Sequence, residues 1–314
     1  MTKTRMKQRC DMKDTIIVHD ARDLSILGDT TVDLTVTSPP YWNAIDYDVH
    51  AQSRGERNYR QRRYARGYSS YSSYMLWLRE VFCAQLLPRT SPGGFCAVVL
   101  GTVLLDGRHY PLPFDFTSMM VKGGWEFWQD IIWHKVTAGV KRAGGFIQRP
   151  YPGYYYPNIM TEYILVFRRA GERLRSAADI SASAVTVDDL FKHDTANNVW
   201  HIPPVPPRTL NHPCPFPEEI PWRLISLYSR RGDLVFDPFA GSGQTLKVAR
   251  WLGRHYLGMD IEPRYVEYAR TRLDERLRLR SEQIICRYDK VSLGEAVDCD
   301  GQMMLFDEGD ERKP

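Results

Sequence analysis

Short apolar, β-branched runs alternate along most of this chain with longer stretches of helical period. Thr15–Val18 and Asp33–Val36 read as buried strands, and Tyr74–Leu87 reads as a helix with Leu78, Val81, Phe82 and Leu86 on one side. Ser91-Pro92-Gly93-Gly94 breaks that helix. Phe95–Leu100, Trp128–Trp133 and Thr161–Phe167 follow as strand candidates, with Pro113–Val121 a short helix opened by proline. From Thr137 to Asn198 the pattern loosens into Gly-, Pro-, Tyr- and Ser-rich sequence interrupted by the Thr161–Phe167 strand and a polar stretch, Ala170–Asn198, so this stretch is expected to be an inserted unit. Pro203-Pro204-Val205-Pro206-Pro207 suits neither helix nor central strand and reads as an extended connector.

After the connector the alternation sharpens. A helix over Phe216–Tyr228 precedes strand Leu234–Asp237, turn Pro238–Gly243, helix Thr245–Leu252, strand Tyr256–Asp260 and helix Pro263–Leu279. That spacing is a βαβ unit of the mononucleotide-binding kind. The expected organisation is α/β: residues 1–136 as one half of a sheet, 137–200 as the insertion, 201–290 as the second half, and 291–314 as an acidic, disordered tail.

Composition narrows the function classes. With 314 residues, 43% of them hydrophobic, and a mean hydropathy of −0.42, the chain supports a large core but has no apolar run long enough for a membrane span. Met1–Lys13 is polar and basic and lacks the apolar stretch of a secretory signal, so a cytoplasmic protein is expected. The six cysteines are scattered and the histidines form no metal-ligand pair, which reads as reduced structural thiols and no metal site. A net charge of +4 says little by itself. Its distribution says more, because Arg54, Arg57, Arg60, Arg62, Arg63 and Arg66 are interleaved with Tyr59 and Tyr64, a pattern suited to gripping phosphates or to a solvated loop. Lys141, Arg142 and Arg149, with Tyr151 and Tyr154–Tyr156, make the insertion a candidate groove reader.

Two segments carry chemistry. In Asp237-Pro238-Phe239-Ala240-Gly241-Ser242-Gly243-Gln244-Thr245 the glycines suit a tight strand-to-helix turn and close approach by a ligand. Gln244 stands where a phosphate-binding Lys would be needed, so phosphate is not the obvious ligand. Asp260, ending the next strand, sits where doubly wound folds place a carboxylate for ribose hydroxyls. Asp237 is a candidate for the amino group of a bound amino acid. Asp20 and Asp23, just past the first strand, are candidates for an adenine amino group or simple turn residues. A structural glycine turn with Asp260 as a mere cap is the plainer reading of the same residues.

The other segment is Thr37-Ser38-Pro39-Pro40-Tyr41-Trp42. Two prolines after a buried strand hold the backbone extended and remove two N–H donors, which favours carbonyls available as acceptors. An exocyclic amino group is a poor nucleophile because its lone pair is delocalised into the ring. Acceptors from Ser38 and Pro39 would hold its hydrogens and favour a pyramidal nitrogen. Tyr41, and Trp42 as a DNA contact, would offer flat faces to a base rotated out of the duplex. A rigid turn or a polyproline ligand is the alternative.

Together, Thr37-Ser-Pro-Pro-Tyr-Trp42 and Asp237-Pro-Phe-Ala-Gly-Ser-Gly243 resemble the amino-methyltransferase family of DNA-modifying enzymes, in which (D/N/S)PP(Y/F) is catalytic and FxGxG binds S-adenosylmethionine. Asp130-Ile-Ile-Trp-His-Lys135, Pro217-Glu-Glu-Ile-Pro-Trp-Arg-Leu-Ile225 and Gly258-Met-Asp-Ile-Glu262 extend the match. The order of the motifs is that of the permuted β class. The resemblance implies a Rossmann-like methyltransferase sheet, Ser38, Pro39, Pro40 and Tyr41 as catalytic, and a cofactor site that includes Phe239, Ala240, Ser242 and Thr245. It also implies a target-recognition region near 137–200, double-stranded DNA as partner, a homodimer, a cognate restriction enzyme where one exists, and a bacterial-type cytoplasm with work on the nucleoid. Ser38 is typical of enzymes making N4-methylcytosine, and N6-methyladenine stays open. So do methylation of RNA or of a protein amide, and a catalytically silent DNA-binding relative.

Overall fold

A computed structural model describes residues 12–42, 68, 70–105, 108–135, 159–173, 183, 185, 195–206, 209–210 and 215–279. Its main feature is an eight-stranded sheet. The strands are β1 (Thr15–Val18), β2 (Val32–Thr37), β3 (Thr90–Leu100), β6 (Glu126–His134), β7 (Thr161–Arg168), β8 (Val199–His201), β9 (Leu234–Asp237) and β10 (His255–Asp260), in the order β1-β10-β9-β2-β3-β7-β6-β8. A separate hairpin pairs β4 (Val103–Leu105) with β5 (Arg108–Tyr110). Within the large sheet only β7 runs against the rest, pairing antiparallel with both β3 and β6.

Helices cover both faces, as a mostly parallel sheet requires. One face packs on α1 (Tyr71–Arg79), its widened continuation over Glu80–Leu86, and α2 (Leu112–Lys122), burying Tyr74, Leu78, Phe82, Phe116 and Met120 against Cys96, Val98, Leu100 and Phe236. The other packs on α3 (Glu219–Tyr228), α4 (Gln244–Trp251) and α5 (Pro263–Arg272), burying Leu224, Leu246 and Ala269 against Leu34, Val36, Val99 and Val235. Alternate residues of β3 face opposite cores, the period-two rule of a strand buried on both sides.

Several expected boundaries move for local reasons. The first long helix begins at Tyr71, because Ser70 and Ser73 form a capping box: the Ser70 hydroxyl accepts from Ser73 N at 3.1 Å and the Ser73 hydroxyl from Ser70 N at 3.1 Å. Ser91–Gly94 does not separate a helix from a strand but lies within β3. Thr90 faces Val32, the register shifts, and pairing resumes at Phe95 opposite Leu34, while Gly93 N donates to Arg169 O at 3.0 Å. The Thr161–Phe167 strand, expected to interrupt an insertion, is an inner strand of the sheet. The last helix stops at Arg272 rather than Leu279, since the backbone beyond it bonds to side chains: Arg276 O accepts from Lys247 at 3.0 Å and Arg278 N donates to Glu218 at 2.7 Å. No helix among the described residues is long and apolar enough to cross a membrane.

Candidate active site

β9 and β2 are neighbours in the sheet, with Val235 and Phe236 alongside Leu34 and Thr35. From β9 the chain order runs outward through β10 to β1, and from β2 it runs the other way to β3. The gap between them is the switch point where open α/β sheets bind ligands beyond their strands' carboxyl ends. Both motifs end there. Thr37 Oγ1 donates to Asp237 Oδ1 at 2.6 Å, and the same oxygen accepts from Phe239 N at 3.0 Å. Thr245 Oγ1 donates to Val36 O at 3.1 Å, which pins the first turn of α4 to β2. Asp237 is fully buried, and burial pushes its carboxyl up to about 6 despite those hydrogen bonds.

The turn after β9 depends on glycine at two positions. Gly241 and Gly243 take φ of 48° and 76°, the left-handed region, and a Cβ on Gly243 would lie 2.8 Å from Ala269 Cβ. Asp260 braces this turn: Oδ2 accepts from Gly241 N and Oδ1 from Glu262 N, each at 2.9 Å. It too is pushed up to about 6, by burial first and with a contribution from Asp237. From the other side Arg272 donates to Ser242 O and to Gln244 Oε1, both at 2.6 Å, and to Glu218 Oε1 at 3.0 Å; that carboxylate also receives Lys247 at 2.7 Å. Sequence reasoning missed this buried cluster. Nothing in the local pattern distinguishes Arg272 from the exposed arginines around it.

Along the proline segment, Ser38 Oγ donates to Val99 O at 3.1 Å and Pro40 O accepts from Tyr74 OH at 3.0 Å. Pro39 is buried, while Ser38, Pro40 and Tyr41 are half-buried at the edge of the cleft. Tyr41 OH donates to Glu162 Oε2 at 3.0 Å, and Lys135 pairs with the other oxygen of Glu162. Trp42 departs from expectation. Its ring is 6% exposed, packed edge-on to Tyr110 and tilted on Tyr71, so it is core beneath the segment and offers no open face to DNA.

Asp20 and Asp23 are turn residues in this structure. Asp20 is held by Arg22, with Nη2 at 2.6 Å, although it stays close to Asp260 because His19 N donates to Asp260 O at 3.0 Å. Asp23 accepts from Ser25 N at 3.0 Å, the Ser25 side chain and then its backbone N–H draw its carboxyl down, and its side chain is 59% exposed. Phe239 stacks obliquely on Trp77, centroids 5.5 Å apart, and Ala240 is buried against the core. Arg54, Arg57, Arg60, Arg62, Arg63, Arg66, Lys141, Arg142 and Arg149 lie outside the described residues, as does the acidic tail. Of the described residues that flank the arginine-rich stretch, Trp42 and Tyr68 are in contact: Trp42 Nε1 donates to Tyr68 O at 3.4 Å.

Residues 32–271 match the profile of the DNA methylase family. The type II methyltransferase M.MjaI of Methanocaldococcus jannaschii is 28% identical over 274 residues, 79% of this chain and 86% of the relative. The orphan methyltransferase M.BamHII of Bacillus amyloliquefaciens is 26% identical, over 79% of this chain and 90% of the relative. Among solved structures, the DNA modification methylase candidate TTHA0409 of Thermus thermophilus, in complex with S-adenosyl-L-methionine, superposes with a TM-score of 0.61 at 30% identity, covering 82% of this chain and 92% of that one. The cytosine-N4-specific PvuII DNA methyltransferase gives the same TM-score at 18% identity, a likeness of fold, over 90% of this chain and 94% of that one.

Proposed function

This chain belongs to the DNA methylase family, with the catalytic-before-cofactor motif order of the β-class amino-methyltransferases and S-adenosylmethionine as its cofactor, and we propose that it methylates the N4 amino group of cytosine in duplex DNA. The observation that carries the chemistry is the Ser38 hydroxyl. Its single proton goes to Val99 O, which leaves the oxygen lone pairs as acceptors at the mouth of the switch-point cleft. With Pro39 and Pro40 unable to donate, the segment is built to accept. An amino group held there by both hydrogens loses conjugation with its ring and presents its lone pair, and the positive charge that grows on nitrogen meets oxygens already in place.

The cofactor supplies a methyl group on a sulfonium centre. The donor set fits it. Asp237 and Asp260 are buried carboxylates whose charged forms burial disfavours, and a ligand bearing sulfonium and ammonium charge relieves that penalty at the strand ends. Asp237 is the candidate for the amino group, and the small residues Gly241, Ser242 and Gly243 admit the backbone of the ligand. Asp260, whose oxygens accept from Gly241 N and Glu262 N, is the candidate for the ribose hydroxyls, a carboxylate having several lone-pair sites. Thr37 couples the two sites, since one hydrogen bond fixes the end of the catalytic strand relative to the cofactor carboxylate.

For DNA we assign the phosphate-gripping role to the arginine-rich stretch between Trp42 and Tyr68 in the chain, and target reading to Lys141, Arg142 and Arg149, which lie in sequence between β6 and β7. Ser38 favours cytosine through the family resemblance alone, because its oxygen accepts equally from an adenine amino group. The test is nucleoside mass spectrometry on plasmid DNA incubated with the protein and S-adenosylmethionine. N4-methylcytosine is expected. N6-methyladenine in its place would reassign the base and keep the chemistry, while label found in RNA or protein and never in DNA would overturn the proposal.

A further inference from the structure

The Tyr41 ring is held from outside its own segment. Its hydroxyl donates to Glu162 Oε2 at 3.0 Å, Glu162 is the second residue of β7, and Lys135, just past β6, pairs with Oε1. Glu162 is 14% exposed and Lys135 21%, so the pair is largely shielded from solvent. Backbone pairing places the groups: Glu162 lies opposite Trp133, Lys135 N donates to Met160 O at 2.9 Å, and the Lys135 ammonium stands over the Trp133 ring at 5.0 Å. Gly101 leaves little spare room beside the pair. A Cβ there would lie 3.2 Å from Glu162 Cγ and 3.4 Å from Tyr41 Cε2.

We infer that Glu162 is a positioning residue for methyl transfer, fixing the attitude of the Tyr41 ring through its hydroxyl, with Lys135 balancing the carboxylate charge. A phenylalanine would offer the same face for stacking but nothing to stop its rotation and tilt. The tyrosine hydroxyl, anchored to a carboxylate, turns a half-buried ring into a fixed platform, and a charge-assisted hydrogen bond of this kind is among the stronger ones. Lys135 matters because a carboxylate facing a polyanionic substrate would otherwise repel it. This inference deepens the proposed function and rests on Tyr41 stacking against an extruded base.

The experiment is a double-mutant cycle of Tyr41→Phe and Glu162→Gln, reading tritiated methyl transfer to plasmid DNA for kcat and KM, with S-adenosylmethionine dissociation measured by calorimetry. Glu162→Gln should lower kcat/KM by about ten-fold with cofactor affinity unchanged within about two-fold, the size of effect a charge-assisted hydrogen bond supports. In the Tyr41→Phe background it should cost nothing further, since the hydroxyl it acts through is gone. Tyr41→Phe leaves the Glu162–Lys135 pair intact and so controls for misfolding of Glu162→Gln. In protein carrying 3-fluorotyrosine, the resonance assigned to Tyr41 by its loss in Tyr41→Phe should shift in Glu162→Gln. Equal losses in both backgrounds, or a matching loss of cofactor binding, would overturn the role of Glu162. Wild-type protein that transfers no methyl to DNA would overturn the functional reading beneath it.

Discussion

Replacing Asp237 by Asn separates a buried charge from the hydrogen bonds it makes. Thr37 Oγ1 and Phe239 N both donate to Oδ1, and an asparagine amide oxygen in that place accepts from both, so the junction of β2 and β9 keeps its contacts. What is lost is a carboxylate whose folded-state value is pushed up to about 6 by burial. Against ~3.9 in an unfolded chain, the folded protein binds the extra proton between about pH 4 and pH 6. The sign follows: the cofactor-free protein is most stable when that proton is on, and its stability falls as pH rises through the window. From pH 5 to pH 7 the loss is about 1 kcal/mol for Asp237 and about the same for Asp260, also near 6. Each corresponds to about 1–2 °C in melting temperature for a protein of this size. Cofactor-free Asp237→Asn should therefore melt at or above wild type at pH 7.5 and show about half the wild-type pH slope by calorimetry. S-adenosylmethionine should bind it about ten-fold to a hundred-fold more weakly at pH 7.5, the loss of one charge-assisted hydrogen bond. In wild type, affinity should fall as pH is taken below about 6. A variant that melts lower at pH 7.5 yet binds the cofactor as tightly as wild type would refute this reasoning and reduce Asp237 to a structural acceptor.

Three further substitutions test the rest of the site. Gly243→Ala forces a left-handed φ of 76° on an alanine whose Cβ would sit 2.8 Å from Ala269, so urea midpoint and cofactor affinity should fall together, by at least about 2 kcal/mol in stability. Arg272→Met strips donors from Ser242 O and Gln244 and leaves Glu218 to Lys247, a broken buried network expected to cost about 3–5 kcal/mol by denaturant titration, whereas an exposed control such as Arg250→Met should be nearly neutral. Ser38→Ala removes the acceptor without touching Asp237 or the glycine turn. Its turnover with plasmid DNA should fall by about 10²-fold or more while cofactor dissociation stays put, and an unchanged kcat would show that the hydroxyl takes no part.

What the sequence made legible was chemistry that is local in the chain. Glycine and small residues between Asp237 and Gly243, bracketed by apolar runs, announce a strand, a tight turn and a helix, and the structure has them within a residue or two. Ser91-Pro-Gly-Gly reads as a break for the same local reasons, yet it lies inside β3, because Thr90 and Phe95 on either side pair with β2 and Arg169 exchanges hydrogen bonds with Gly93 and Gly94, backbone partners that propensity cannot anticipate. β7 sits between β3 and β6, and strand order is set by packing across the whole sheet, so a reading along the chain leaves it stranded inside an insertion. Trp42 shows the same limit: an aromatic next to a catalytic motif looks like a stacking surface, and only the positions of Tyr71 and Tyr110 turn it into core.

The contacts that sequence reasoning missed share one property, which is that each spans a large separation. Thr37 and Asp237 are 200 positions apart and joined by one hydrogen bond, Tyr41 and Glu162 are 121 apart, and Arg272 reaches Ser242 across 30. Permuted motif order makes this necessary. With β2 near one end of the chain and β9 near the other, no short loop joins them; backbone pairing of Leu34 and Thr35 with Val235 and Phe236 sets their register, and the side-chain bonds of Thr37 and Thr245 tie their ends together. Thr37 is the most exposed to failure of these. It is a strand-end threonine in a run, Val32–Thr37, that any β-branched residue would suit, and valine there would keep the strand and the burial while leaving Asp237 Oδ1 one donor short. In Thr37→Val, methyl transfer should therefore fall by more than cofactor binding does, because the carboxylate and the β2–β9 pairing survive while the side-chain tie between Asp237 and the end of β2 is lost.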